Sequence, residues 1–152
     1  MSDAPDPFNL TGQVALITGG GTGIGLGVAQ CFVSQGAQVV ITGRREEVLR
    51  SAAADLGERA SYEVHDVTEI DNAASLFDLA EQRHGPVTCL VNNAGNQVRK
   101  AAEEVTDEEF TSVWDVHVRG AFALSQEAAR RMMAREEGGS IIFMASMTSL
   151  FG

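Results

Sequence analysis

The chain has 152 residues, of which 44% are hydrophobic and 21% are charged, a profile typical of one globular domain. The 11 Lys and Arg residues against 21 Asp and Glu give a formal net charge of -10, which argues against binding to nucleic acid or to an anionic membrane surface. The two cysteines, Cys31 and Cys89, are too few for a disulfide framework or a Cys-rich metal centre. We therefore expect no metal site and a reducing, cytoplasmic location.

The first residues are predicted to lie outside the folded domain. Residues 1–8 are acidic, are interrupted by Pro5 and Pro7, and lack the basic and apolar segments of a secretory signal. No apolar run approaches the roughly 20 residues that span a bilayer. We expect a loose leader over residues 1–8 and one domain over residues 9–152.

Short apolar runs alternate with helical patterns along the chain. Runs that end at glycine or polar turns predict five strands, at residues 13–18, 38–42, 61–65, 87–91 and 140–145. The segments between them carry apolar residues at helical spacing: Ile24, Val28, Cys31 and Phe32, then Leu49, Ala52, Ala53 and Leu56, then Ile70, Ala73, Ala74, Phe77 and Ala80, and last Phe110, Val113, Trp114, His117, Ala121 and Leu124. Thr106 and Glu109 form a capping-box pattern at the start of the fourth helix.

This alternation predicts an α/β fold with a doubly wound parallel sheet of five strands and four helices. In such a sheet, ligands bind beyond the carboxyl ends of the strands. The chemistry is therefore expected at residues 18–25, 42–45, 65–67, 92–96 and 145–149.

A glycine-rich turn joins the first predicted strand to the first helix. It runs Thr18-Gly19-Gly20-Gly21-Thr22-Gly23-Ile24-Gly25. Backbone N–H groups at a helix start can hold a pyrophosphate, and a side chain there would keep the phosphate away. The spacing is neither G-x-G-x-x-G nor that of a P-loop. A plain flexible turn is the alternative, but the position between strand and helix favours nucleotide binding.

This turn, together with Asn92-Asn93-Ala94-Gly95 after the fourth strand, resembles the short-chain dehydrogenase/reductase family. The resemblance runs from near Leu10 to the last residue, and it implies a Rossmann-type sheet, a nicotinamide cofactor and a small-molecule carbonyl or alcohol substrate. The cofactor contacts that it implies in the two turns are Gly19, Gly21, Thr22, Gly23, Ile24, Gly25, Asn92, Ala94 and Gly95.

The end of the second strand bears on the choice between NAD(H) and NADP(H). Enzymes that prefer NAD usually carry an Asp or Glu there, which binds the ribose hydroxyls. This chain has Arg44 and Arg45 instead, and guanidinium groups bind phosphate oxygens through two parallel donors. We predict NADP(H), with Arg44 the better candidate. Two solvated arginines that pair with Glu46 and Glu47 are the alternative.

At the end of the third strand, the resemblance implies that Asp66 accepts a hydrogen bond from the adenine amino group, beside the Val67 backbone. An aspartate that caps a helix or a turn is the alternative. After the fourth strand, Arg99 and Lys100 weakly favour an anionic or polyhydroxylated substrate, and an acyl-CoA substrate is equally open.

Hydride transfer to or from a carbonyl carbon needs a proton donor or acceptor at the oxygen. In the family, a Ser, Tyr and Lys set does this work, often with an Asn in the long helix. Ser146 matches the family serine, which hydrogen-bonds the substrate oxygen, and a small polar residue after a strand is the alternative. His117 stands at the Asn position, where it is either a satisfied structural residue or the holder of a water in a proton relay.

The family Tyr-x-x-x-Lys, expected shortly beyond Ser146, has no counterpart among the 152 residues. The only tyrosine is Tyr62 and the only lysine is Lys100. We interpret the sequence as the N-terminal portion of an NADP(H)-dependent oxidoreductase. A noncatalytic nucleotide-binding or partner-binding module and a degenerate reading frame are the alternatives.

By resemblance, one more long helix and two more strands would follow. Without them, residues 141–144 are predicted to form an exposed apolar edge that can pair with another chain. We expect a dimer or tetramer of the complete form, and poor solubility or enforced oligomerisation of residues 1–152 alone.

Overall fold

The structure is a computed structural model that describes residues 6–147. Residues 1–5 of the predicted leader and residues 148–149 of the last predicted ligand segment lie outside the described residues. The strands are β1 (Val14–Thr18), β2 (Gln38–Gly43), β3 (Ala60–Val64), β4 (Cys89–Asn92) and β5 (Ser140–Phe143). They form one parallel sheet in the order β3-β2-β1-β4-β5, which confirms the predicted doubly wound architecture.

The helices are α1 (Gly23–Ser34), α2 (Glu46–Leu56), α3 (Ala73–His84), α4 (Asp107–Trp114) and α5 (Ala121–Arg135). The predicted capping box of Thr106 and Glu109 is present at the start of α4. The predicted fourth helix is one continuous helical segment, in which α4 passes into α5 through a π-helical stretch over Asp115–Gly120. A π-helical turn carries an extra residue, and such turns often lie at functional sites.

The predicted apolar face of this segment is wrong at its start. A constant helical period assigns Phe110 and Trp114 to the same buried face as Leu124. In the structure Phe110 and Trp114 are exposed, whereas Ala121 and Leu124 are buried. The reason is that α4 has no buried residue on any face, and burial of the segment begins at Gly120 and continues along α5.

Two apolar layers cover the two faces of the sheet, because successive strand residues point to opposite sides. One layer, against α3 and α5, contains Leu16, Val40, Leu90, Phe77 and Leu124. The other, against α1 and α2, contains Ile17, Val39, Ile41, Ala29 and Leu49. Since β1 and β4 are buried on both faces, their near-continuous apolar sequences are the expected ones.

Several strand boundaries and part of one helix face differ from the sequence prediction. β3 lies one residue earlier than predicted, β4 begins at Cys89, and β5 ends at Phe143. In α1, Ile24 and Cys31 are exposed, and the buried residues are Gly25 and Ala29. The helix packs on the sheet through these two small residues and through the partly buried Val28 and Phe32, which the helical spacing predicted.

The predicted apolar edge is observed at β5. Phe143 is 58% exposed and Met147 is 67% exposed, with Ile142 and Met144 partly uncovered between them. Within residues 6–147, none of the helices combines the length and the apolarity that crossing a bilayer requires.

Candidate functional site

The carboxyl ends of β1, β2 and β3 and the turn after β4 surround a cleft of about 210 Å³. It lies where the chain order of the strands reverses, between β1 and β4, which is where doubly wound proteins bind ligands. The predicted site residues that line this cleft are Gly19, Gly21, Thr22, Arg44, Arg45, Asp66, Val67, Ala94 and Gly95.

The glycine turn is joined by backbone hydrogen bonds to the end of β2. The N–H groups of Gly19 and Gly20 both donate to the carbonyl oxygen of Thr42, at 2.8 and 3.2 Å. Gly19 has a φ of 66°, in the left-handed region that favours glycine. A Cβ there would lie 3.0 Å from Ala94 Cα. The turn therefore presents bare backbone to the cleft.

Gly23, Ile24 and Gly25 form the first turn of α1 rather than the wall of the cleft. Their N–H groups belong to the helix start, where no carbonyl within the helix is available to accept from them. The Ile24 side chain is 68% exposed. A Cβ on Gly25 would lie 2.4 Å from both the Gly19 carbonyl oxygen and Asn93 Nδ2, so Gly25 lets the helix start approach the two turns.

Two residues that the sequence analysis did not select hold these turns together. The buried Thr18 Oγ1 accepts hydrogen bonds from the backbone N–H groups of Asn93, at 3.0 Å, and Ala94, at 2.9 Å. It donates to the Val91 carbonyl oxygen at 3.3 Å. In return, Asn93 Nδ2 donates to the carbonyl oxygens of Thr18 and Gly19, at 2.9 and 3.3 Å. The signal was a hydroxyl at the end of an otherwise apolar strand, since a buried hydroxyl needs partners.

Replacing Thr18 by Val, which has nearly the same shape, is expected to lower the free energy of unfolding by about 3 kcal/mol. The change leaves the N–H groups of Asn93 and Ala94 without an acceptor, and each such group costs about 1–3 kcal/mol. Urea denaturation measures the loss. Thr111→Val, at an exposed position of α4, is the control and should change stability by less than about 0.5 kcal/mol. Equal effects of the two substitutions would contradict the assignment.

Arg44 and Asp66 face each other at the outer end of the cleft. Arg44 Nη1 lies 4.0 Å from Asp66 Oδ2, and the Arg44 side chain is 75% exposed. Asp66 Oδ1 also accepts hydrogen bonds from the Thr68 N–H and hydroxyl groups, at 3.0 and 2.8 Å. Partial burial works to raise the pKa of Asp66, but these hydrogen bonds and the Arg44 charge hold that pKa below its ordinary value. Asp66 is therefore an ionised acceptor at neutral pH.

The alternative partners of the two arginines are already engaged elsewhere. Glu46 and Glu47 both pair with Arg50, at 2.8 and 2.7 Å. Arg45 precedes α2 and lines the cleft. Arg44 and Arg45 thus both line the cleft, while Glu46 and Glu47 pair with Arg50.

Two polar residues at the cleft were also missed by the sequence analysis. Thr42 and His65 line it, and within residues 6–147 Thr42 Oγ1 and His65 Nε2 are buried without a hydrogen-bond partner. Burial lowers the pKa of His65, against the opposing charges of Glu69 and Asp66. The His65 ring is therefore neutral at neutral pH and adds no charge to this wall.

A smaller pocket of about 30 Å³ lies beside the cleft, between the turn after β4 and the π-helical stretch. His117 and Asn92 line it together with Phe143 and Met144. Asn92 Nδ2 donates to Ser125 Oγ at 3.0 Å. Ser146 follows the end of β5 and is exposed. The structure thus brings His117 and Asn92 together and places Ser146 outside both pockets.

The two basic residues after the β4 turn have different surroundings. Lys100 Nζ pairs with Glu109 at 2.5 Å, and Arg99 is exposed.

The strand order, the two-sided helix layers and the glycine turn define a Rossmann-type α/β protein. The model of the short chain dehydrogenase family matches residues 13–152. An NADP-dependent (R)-specific alcohol dehydrogenase of Lentilactobacillus kefiri is 41% identical over 145 residues, which cover 94% of this chain and 58% of the relative. Gluconate 5-dehydrogenase of Gluconobacter oxydans (strain 621H) is 37% identical over 148 residues, with 95% and 57% covered. Momilactone A synthase of Oryza sativa subsp. japonica is 41% identical over 147 residues, with 95% and 53% covered.

The chain belongs to the short-chain dehydrogenase family. The chain spans a little over half the length of these curated relatives.

Proposed function

We propose that this chain is the cofactor-binding part of an NADP(H)-dependent oxidoreductase, which moves a hydride between the nicotinamide and a carbonyl or alcohol carbon of a small molecule. The observation that carries the proposal is the pairing of a bare-backbone glycine turn with two guanidinium groups at one cleft. The end of β2 carries Gly43, Arg44 and Arg45 in place of a carboxylate that would repel a 2′-phosphate.

The residues at the cleft fit a dinucleotide. A Cβ on Gly21 would lie 3.2 Å from Val48 and Leu49, so the turn leaves backbone space that a side chain would fill. The N–H groups at the start of α1 would hold the pyrophosphate, helped by the helix dipole. Arg44 would bind the 2′-phosphate and Asp66 the adenine amino group. When bound, the nicotinamide supplies or accepts the hydride.

The remaining roles fall on the backbone of the β4 turn and on two side chains. Ala94 and Gly95 line the cleft beside the expected position of the cofactor ribose. Asn92 fixes the base of this turn through Ser125. Ser146 is proposed to donate a hydrogen bond to the substrate oxygen. The substrate would enter from the side of Arg99, and the location would be cytoplasmic.

Assembly into a homo-oligomer is part of the proposal. The uncovered apolar residues on α4, α5 and β5 support it: Phe110, Trp114, Phe122, Met133 and Phe143 are each more than a third exposed. Phe110 and Trp114 stack on each other with ring centroids 6.3 Å apart, and exposed apolar patches often mark protein contacts. Light scattering that shows only a monodisperse monomer would count against assembly.

A noncatalytic nucleotide-binding module is the second candidate. Tyr62 lies in β3, at the opposite edge of the sheet from β5, and Lys100 is paired with Glu109. Tyr62 is thus separated from Ser146 by the width of the sheet. Binding of NADPH without turnover on a broad panel of carbonyl compounds would favour this candidate.

Isothermal calorimetry with NADPH and NADH tests the cofactor proposal. We expect one site per chain, with NADPH bound at least about 10-fold more tightly, because charge-assisted hydrogen bonds to a phosphate are the strong ones. Equal or tighter binding of NADH would overturn the NADP preference. Absence of binding by both would overturn the proposed function. NADPH consumption with carbonyl substrates then separates the enzyme from the binding module.

A further inference from the structure

His117 contacts the loop that forms one wall of the cleft. Its Nε2 lies 2.8 Å from the carbonyl oxygen of Asn96 and 3.2 Å from the backbone nitrogen of Asn96. Gly95 lies so close that a Cβ there would be 2.9 Å from His117 Cε1. Asn96 Nδ2 also donates to the Ser112 carbonyl oxygen at 3.1 Å. The loop that forms this wall is thus fixed at two points, by Ser112 in α4 and by His117 in the π-helical stretch.

One ring nitrogen faces both a donor and an acceptor, and it can serve only one of them at a time. An imidazole that carries its proton on Nδ1 accepts at Nε2 from the Asn96 N–H group. A ring that carries a proton on Nε2, whether neutral or charged, donates to the Asn96 carbonyl oxygen. The shorter distance is to the carbonyl oxygen, which favours donation. A charged donor makes the stronger hydrogen bond.

We propose that His117 is a positioning residue that makes the hold on the Asn96 loop, and through it the affinity for the cofactor, depend on pH. The inference rests on the proposed function, because Gly95 and Asn96 line the cleft that would hold the cofactor. The protonated ring donates to the Asn96 carbonyl oxygen and fixes the wall. Loss of the proton weakens this bond and allows the ring to accept from the Asn96 N–H group instead.

Most of the charged groups around this wall are compensated or do not titrate near neutral pH. On the same helical segment, Asp115 pairs with Arg119 at 2.8 Å. From the loop and α4, Lys100 pairs with Glu109. From the end of β3, His65 is neutral and Asp66 is ionised at neutral pH. Arg99 on the loop keeps its charge, since guanidinium groups do not lose it in this range.

The residues that share the small pocket with His117 are uncharged. Within the described chain they are Thr18, Val67, Asn92, Ala94, Val116, Ala121, Phe143 and Met144. A histidine ring is the side chain that ordinarily changes charge between about pH 5 and 8. The pH dependence of this wall is therefore assigned to His117.

Glutamine at position 117 separates the contact with Asn96 from its pH dependence. The Gln carboxamide reaches about as far as the imidazole Nε2 and presents an acceptor and a donor together, so it can serve the N–H and carbonyl groups of Asn96 at every pH. His117→Gln should keep the wall in place and remove its pH dependence. His117→Leu removes both groups and should weaken the wall at every pH.

Nuclear magnetic resonance tests the contact without any cofactor. The chain has three histidines, so long-range proton–nitrogen spectra separate His117 from His65 and His84. We expect a proton on Nε2 of His117, and backbone shifts of Asn96 and Gln97 that follow the titration of this ring. In His117→Gln these shifts should stay constant across the same range. A ring with its proton on Nδ1 throughout, or loop shifts that ignore the ring, would overturn the proposal.

NADPH affinity against pH tests the consequence. From about pH 8 down to 5.5, the wild-type dissociation constant should fall about fivefold more than that of His117→Gln, as the ring gains its charge. The 2′-phosphate also titrates near pH 6, but it contributes equally to both proteins. Parallel profiles would overturn the proposal. Failure of every variant to bind NADPH at any pH would refute the proposed function, and the resonance data would then show whether the His117 contact exists by itself.

Discussion

Gly25→Ala is expected to lower the free energy of unfolding by about 3 kcal/mol, the upper end of the usual cost of overpacking, and to abolish measurable cofactor binding. The new Cβ would lie 2.4 Å from the Gly19 carbonyl oxygen and from Asn93 Nδ2. The carbonyl oxygen belongs to a turn that β2 already fixes through Thr42, so it cannot move aside without breaking hydrogen bonds. The start of α1 must then withdraw from the cleft. Urea denaturation and calorimetry with NADPH measure the two effects.

Gly27→Ala is the matched control, two positions further along the same helix. A Cβ on Gly27 would meet no atom within 4 Å. Alanine in a helix is more stable than glycine by about 0.5–1 kcal/mol, so this variant should gain stability and keep its affinity for NADPH. The two substitutions are chemically identical and should change stability in opposite directions. If both substitutions raised stability, or both lowered it, the close approach of α1 to the two turns would be refuted.

Arg44→Ala is expected to weaken NADPH binding by roughly 10-fold or more and to change NADH binding by less than about twofold. The guanidinium would lose its contact with the 2′-phosphate, which only NADPH carries. Asp66 keeps its hydrogen bonds from Thr68, so the adenine end of the cleft remains in place. Calorimetric titration of both cofactors gives the ratio of their affinities.

Arg59→Ala and Arg45→Ala test whether the loss of NADPH affinity is specific to the Arg44 side chain. Arg59 is exposed and donates to the Gly36 carbonyl oxygen, away from the cleft, and its loss changes the net charge by the same amount. Arg59→Ala should change the affinities for NADPH and for NADH by less than about twofold. A general effect of net charge would instead lower NADPH binding in all three variants alike. Arg45→Ala should have a smaller effect than Arg44→Ala. A larger effect at Arg45 would exchange the proposed roles of the two residues.

Much of the fold followed from apolar patterning because the central strands are buried on both faces. The sequence from Val14 to Thr18 has no polar alternation, and the structure buries every residue of it. Strand ends were less predictable, since the last ladder bond of β5 joins the Met144 N–H to the Asn92 carbonyl oxygen and depends on its partner strand. The π-helical stretch was not predictable from a constant helical period, nor was the exposure of α4, which has no buried residue.

The site was predictable where strand ends determine it and less so where packing does. Gly19, Arg44, Asp66 and Ala94 meet at one cleft because parallel strands end at the same edge of the sheet. The roles of Thr18 and Asn93 arise from contacts between two turns that are distant in sequence. The contact of His117 with Asn96 is of the same kind, because it joins a helix to a loop that local patterns do not connect.

Hydrogen–deuterium exchange with and without NADPH tests the central claim, that the dinucleotide binds along the carboxyl ends of the strands. The account predicts slower exchange at residues 18–25, 42–45, 65–67 and 92–96, and unchanged exchange in the last turns of α5 near Arg135. Protection confined to other segments, or none at saturating NADPH, would contradict it.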